Sequence, residues 1–416
     1  MAKTIFKKQV MPGGRIFTIL ACIGTICLFL PVRSQAGDNP AKDKIPESLY
    51  PGLHHFLELV DPDKNVSFDP GIVEPVLEFV EGPKDKGTLY HADGISAMPS
   101  AYYEFDIRKN LTDVAAYSFN PDIPDIATMP SSARLFLWLD EKGQESSSPR
   151  VGQYLDNSDI PVIIRGLCFV ENTPDINSGA YYAYNLYQTL VIFKYRRRNI
   201  LIAISRQTDV STVGKKGYVL GADNDWDYFY SGKRGLTLPA LGWIRSYMYD
   251  SRTVAIYDET DRNKPSLRCA MFKWLQAGWS GINMVRNEHI YNGIKRFAKP
   301  FKEILESPLL PPLQTLTSDF KRIRGLSENT LRSKMKIYSN ILKNRYNSGN
   351  PRSKNLPSKL FDNTRHWQRM SKEEMQSALV VEYMKAVMGK TDADETGELL
   401  ESSVKHLPAF RTPRLF

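Results

Sequence analysis

The residues from Asp223 to Gly235 read DNDWDYFYSGKRG, with aspartates at alternate positions, Asp223, Asp225 and Asp227. Carboxylates at that spacing form the first half of a calcium loop. Such a loop also needs a glycine at its sixth position for the sharp turn and a bidentate glutamate at its twelfth. Those positions hold Tyr228 and Arg234, so calcium chemistry fails on both counts. The aromatic run Trp226, Tyr228, Phe229, Tyr230 suggests a different role. Alternation along a strand would send the aspartates to one face and Trp226 and Tyr228 to the other. The stretch then reads as a strand entering a polar turn, its aspartates facing solvent, although Phe229 breaks the alternation.

Other reactive residue types are scattered. His54 and His55 are adjacent, which suits no shared metal site on a helix, and His91 and His289 stand alone. Glu104 and Asp106 merely alternate along one apolar run. The chain has no nucleophile elbow, zincin helix, paired-cysteine motif or phosphate loop. No catalytic residue, metal ligand or cofactor is assigned. Beyond residue 36 only Cys168 and Cys269 remain, both in apolar strand-like runs. They are expected as buried thiols, with a single bridge as the alternative in an oxidising compartment.

The N-terminus addresses location. Lys3, Lys7, Lys8 and Arg15 precede an apolar run from Ile16 to Val32, and Ser34-Gln35-Ala36 offers a cleavage site. Residues 1–36 therefore read as a secretory signal peptide, with export to the periplasm or beyond. An uncleaved N-terminal membrane anchor is the alternative. The net charge of +9 is uneven. Residues 321–372 carry most of the excess, which predicts attraction to an anionic envelope surface. An exported chain meets little nucleic acid, so none is expected as a partner.

The elements follow from periodicity. Residues 37–87 hold two short helical pieces. Residues 88–307 read as an α+β body of antiparallel strands, ended by an amphipathic helix from Asn287 with apolar positions at Ile290, Ile294, Phe297, Phe301 and Ile304. Residues 308–416 read as a basic, largely disordered extension with one or two helices, because like charges cluster there and linker chemistry fills 347–359. The clearest hairpin is 183–207. Tyr187, Val191 and Phe193 share one face of its first strand. On its return strand Leu201, Ala203 and Ser205 share a face of small and apolar residues, taken to lie opposite those aromatics.

This order of elements, over roughly Thr88 to Ser307, resembles the helix-grip folds, the START and Bet v 1-like group. In them a curved antiparallel sheet wraps a long C-terminal amphipathic helix around an apolar cavity. No family motif matches residue by residue, so no ligand residue is carried over from the resemblance. A β-sandwich with a docked helix is the alternative architecture. The expected function is a non-catalytic binding protein for an apolar or amphipathic, lipid-like ligand. Tyr187, Val191, Phe193, Leu201, Ala203, Trp226, Tyr228 and Phe297 are its expected lining. An envelope enzyme of hydrolase or cyclase type on the same cavity, or a structural envelope protein, is the alternative.

Overall fold

The computed structural model describes residues 41–85, 88–155, 160–238, 242–261, 264–347, 360–361, 365–391 and 393–406. The signal segment and the linker at 348–359 lie outside the described residues. The strands are β1 (Lys42–Lys44), β2 (Leu89–His91), β3 (Ser100–Ile107), β4 (Ala133–Leu139), β5 (Glu145–Ser146), β6 (Val162–Asn172), β7 (Ala180–Tyr181), β8 (Ala183–Tyr195), β9 (Arg198–Gln207), β10 (Lys215–Val219), β11 (Tyr228–Arg234), β12 (Leu236–Leu238), β13 (Gly242–Ile244), β14 (Ser246–Asp261), β15 (Ser266–Trp279) and β16 (Ile282–Asn283). The helices are α1 (Tyr50–Leu59), α2 (Pro70–Glu81), α3 (Leu111–Ser118), α4 (Gly152–Leu155), α5 (Asn287–Glu306), α6 (Leu313–Arg324), α7 (Glu328–Asn347), α8 (Arg365–Gln368), α9 (Lys372–Val387) and α10 (Ala393–Leu400).

The fold is α+β. An open eleven-stranded sheet runs in the order β1-β2-β3-β15-β14-β9-β8-β6-β4-β5, with β16 paired to the end of β15. Its pairs are antiparallel apart from β1 with β2. Strands apolar on both sides need both sides covered, and helices do this. On one face α1 and α2 bury Leu53, Phe56, Val73, Val76 and Leu77 against Val191, Phe193, Ile202, Val254, Ile256 and Phe272. On the other, α3, α4 and α5 pack Leu111, Leu155, Phe301 and Leu305 against Leu190, Ile192, Leu201, Tyr257 and Cys269. Helices rather than a second sheet cover each face, which replaces the sandwich alternative.

The β8–β9 hairpin corrects one expectation. Its loop is two residues, Arg196 and Arg197, both in the left-handed region at φ 47° and 67°. That loop sets Tyr195 opposite Arg198, Val191 opposite Ile202 and Leu190 opposite Ala203. Directly opposed residues project to one face. An odd-numbered residue of β8 therefore shares a face with an even-numbered residue of β9. Tyr187, Val191 and Phe193 lie on the α1–α2 side, and Leu201 and Ala203 on the α5 side. The sequence reading had paired odd with odd, the one-residue offset that turns a strand over.

The chain beyond Ser307 corrects a second. Among the described residues it forms α6 to α10 rather than a mostly flexible extension. Leu316, Phe320 and Ile323 on α6, and Leu331, Met335, Tyr338 and Leu342 on α7, recur at helical spacing and are buried. They share one core with Leu379 and Tyr383 of α9 and with Trp226 and Phe229. Ser371 caps α9, accepting from the Glu374 amide while the Glu374 carboxylate accepts from the Ser371 amide. The long helix α5 is therefore not the last element, and the chain from Pro40 onward forms one compact unit.

Candidate functional site

The stretch at Asp223 is a docking seat for these later helices, and its Asp223, Asn224 and Trp226 also line a cavity beside α5. Asp223–Asp225 is a 3-10 turn, and the strand begins only at Tyr228. The three aspartates therefore do not share a face. Asp223 accepts two bonds from the Arg296 guanidinium of α5, at 2.8 and 2.7 Å. Asp225 accepts from the Ala222 amide. Asp227 takes Lys385 of α9 at 2.5 Å and Arg345 of α7 at 2.8 Å. Glu382 meets the same two cations at 3.2 and 2.9 Å. Burial works against ionisation of Asp227, but Lys385 and Arg345 outweigh it and hold its carboxyl below the usual range. Trp226 and Tyr228 are buried in the helical core, with the Lys390 ammonium 4.7 Å above the Trp226 ring.

The other expected lining residues divide between the two faces. Val191 and Phe193 are buried beneath α1 and α2, where Phe193 meets Phe68 edge-on at 4.9 Å. Tyr187 packs at the margin of that core. These three fill a core. Leu201, Ala203 and Phe297 are the ones brought to a common layer, between the sheet and α5. Phe297 stacks on Phe301 at 5.0 Å and meets Phe105 edge-on at 6.4 Å. Leu201 is fully buried, whereas Ala203 keeps accessible surface.

Register extends this face across five strands. One row runs Tyr103 (β3), Met271 (β15), Ala255 (β14), Ala203 (β9) and Leu190 (β8). The next row, two residues along each strand, runs Ala101, Lys273, Thr253, Ser205 and Gln188. An apolar row thus lies beside a polar one. Tyr103, Met271, Ala203, Lys273, Thr253 and Ser205 all retain accessible surface at the middle of a wide sheet, where close packing would leave none. Beside α5 a cavity of about 530 Å³ opens on this face. The sheet contributes Tyr103 and Phe105 to its lining, α5 contributes Arg296 and Lys299, and loops contribute Ser131 and Trp226.

Lys273 is the functional candidate that sequence reasoning missed. Its ammonium donates to Thr253 Oγ1 at 3.1 Å and to Ser251 Oγ at 3.3 Å. Among the described residues no carboxylate lies within ion-pairing distance. Burial alone pulls the amine down to about 8. Its side chain projects from the α5 face of the sheet and keeps some accessible surface. The sequence signal was slight: the second of two charges in SLRCAMFKWLQAGW, at an alternate position that is apolar on its neighbours Cys269, Met271 and Leu275.

The larger hollow lies on the opposite face. A groove of about 980 Å³ sits on the α1–α2 side of β4, β6 and β8, floored by Leu137, Leu167 and Phe169 and edged by Lys215, Arg234 and Glu374. Of its lining, Glu171, Lys215 and Glu374 are committed to ion pairs. Glu171 joins Arg134 at 2.7 Å and Lys215 at 2.9 Å, and Arg134 also reaches Glu374 at 2.6 Å. Cys168 and Cys269 are free and buried, and burial pushes both thiols up, so neither is a nucleophile at neutral pH. Compared with known proteins, the chain matches no family model, no curated protein and no solved structure, and its site is therefore read from its own geometry.

Proposed function

We propose that the mature protein is an exported, non-catalytic binder of an apolar or amphipathic ligand held between the large sheet and α5. The observation that carries this reading is the cavity of about 530 Å³ beside α5, which Tyr103 lines at one end of the partly accessible row Tyr103–Met271–Ala203. A concave, mostly apolar site with a few convergent polar groups is what small ligands use. The reading draws on the resemblance of α5 packed on the sheet to the helix-grip folds. Here α1 and α2 cover the second face, and α6–α10 are added beyond the long helix.

Export follows the signal segment, with the mature chain beginning near Gly37. The basic stretch 321–372 meets an anionic envelope surface through its exposed cations, such as Lys321, Lys336 and Lys343. Arg332 and Lys334 of that stretch are held internally, by the carbonyls of Trp367, Gln368, Leu399 and Glu401. The test is native mass spectrometry of the secreted chain. A mass excess that organic extraction removes and identifies as a lipid supports the binder. A bare mass, with no uptake of medium-chain alcohols or acids, overturns it.

A further inference from the structure

The geometry points to Lys273, with the Ser251 and Thr253 hydroxyls, as the head-group site for a single-chain amphiphile bearing an anionic carboxylate or phosphate. The inference rests on the binding reading above and adds the chemical class of the ligand. The argument begins with charge. A buried ammonium is costly unless something compensates it. Elsewhere in this molecule buried cations find carboxylates or backbone carbonyls, as Lys334 does with Leu399 and Glu401. Lys385, fully buried, has Asp227 and Glu382 beside it. Arg134 has Glu171 and Glu374. Lys273 has two neutral hydroxyls and no acid.

Geometry then says where a compensating anion would sit. An ammonium has three donors, and two are taken by Ser251 and Thr253. The third has no acceptor among the described residues. Lys273 belongs to the polar row, whose adjacent row is Tyr103, Met271 and Ala203. A ligand with its tail over the apolar row and its head at Lys273 matches both rows at once. The neighbouring hydroxyls, including Ser205 opposite Thr253, can donate to the remaining oxygens of a carboxylate or phosphate. A neutral head would leave the ammonium uncompensated.

The experiment is calorimetric titration of the secreted, delipidated protein with dodecanoate, dodecyl phosphate and dodecanol, each below its micellar concentration. Wild type is expected to bind at least one anion tenfold or more tighter than dodecanol. Lys273→Met is expected to keep dodecanol affinity within about twofold and to lose tenfold or more for the preferred anion. Lys273→Gln, which keeps polarity and removes the charge, should behave the same way and serves if the methionine variant misfolds. Preference for dodecanoate over dodecyl phosphate, or the reverse, identifies the head group. Binding of all three probes without preference, or an anion affinity unchanged in both variants, overturns the head-group assignment alone. Failure of all three on wild type overturns the cavity reading with it.

Discussion

Two lysines divide the molecule. Lys385 is 1 % exposed, on α9, with two carboxylates in reach. Lys273 is half-buried in the middle of the sheet, with two hydroxyls and no carboxylate. The first belongs to a closed network in which Arg345, Asp227, Glu382 and Glu395 complete one another. That arrangement joins elements far apart in sequence and leaves no charge for a ligand to satisfy. The second has only two hydroxyls beside its charge, and no carboxylate among the described residues. The contrast separates a charge that builds the fold from one that awaits a partner.

The same substitution at both positions should therefore act in opposite directions. Lys385→Met leaves Asp227 and Glu382 sharing Arg345 in a buried site. Breaking a buried pair typically costs about 3–5 kcal/mol. The expected outcome is a fall in melting temperature, with the helices after Ser307 the first to become protease-sensitive. Lys273→Met removes an uncompensated charge from ligand-free protein and should raise stability by about 1–3 kcal/mol. Denaturant unfolding of the delipidated proteins checks both. A loss of stability at Lys273 comparable to that at Lys385 would show that Lys273 is structural, and would end the contrast.

Titration sharpens the contrast from each end of the pH scale. Asp227 is held below its ordinary value in the folded state. Its contribution is present above the unfolded value of about 3.9 and is lost as pH falls through the lower folded value. Lys273 is also depressed, to about 8, against about 10.4 unfolded. Between those values the unfolded chain binds the proton and the native chain does not, so native stability rises with pH. Tyr103, Tyr257, Tyr291 and the Cys269 thiol on that face are all pushed up by burial and neutral throughout most of the window. The stability gap between Lys273→Met and wild type should be full below pH 8 and close towards pH 10.4. An anionic ligand should reverse the trend, binding more weakly as the amine loses its proton. A gap that does not change across this window would contradict the burial of an unpaired amine.

These features were unevenly legible. Period-two runs gave the long strands, and the spacing of Ile290, Ile294, Phe301 and Ile304 gave α5. The two N-terminal pieces appear as α1 and α2. The tail was misjudged because charge density was weighed above periodicity. Leu331, Met335, Tyr338 and Leu342 carry a helical stripe that fourteen basic residues in 321–372 obscured. Glu382 lies nearer to Arg345 and Lys385 in sequence, but the acid that joins them to the α+β body, Asp227, lies more than a hundred residues away, and no local pattern announces it. Hairpin register depended on the two arginines with positive φ, a turn whose usual residues are Asn and Gly. Lys273 became a candidate only when register set Thr253 across from it and left the site without an acid.

The smallest expected effect is the most direct probe of the space beside Lys273. Ala203 lies two residues from Ser205 on β9, opposite Ala255 and Leu190, and keeps accessible surface. Ala203→Trp adds a ring on the α5 side only. If that side is open, the ring occupies the space a ligand tail would use, and stability changes by less than about 1 kcal/mol. If Phe297 and Phe301 already fill it, insertion forces side chains off their rotamers and costs about 1–3 kcal/mol. Ile202, one residue away, faces the packed α1–α2 side, where Ile202→Trp should be strongly destabilising in either case. The pair reads the two faces of one strand against each other. Equal losses at both positions would mean that the α5 side is as closed as the α1–α2 side. A near-neutral Ala203→Trp that abolishes dodecanol binding would locate the tail over the apolar row and leave Lys273 to hold the head.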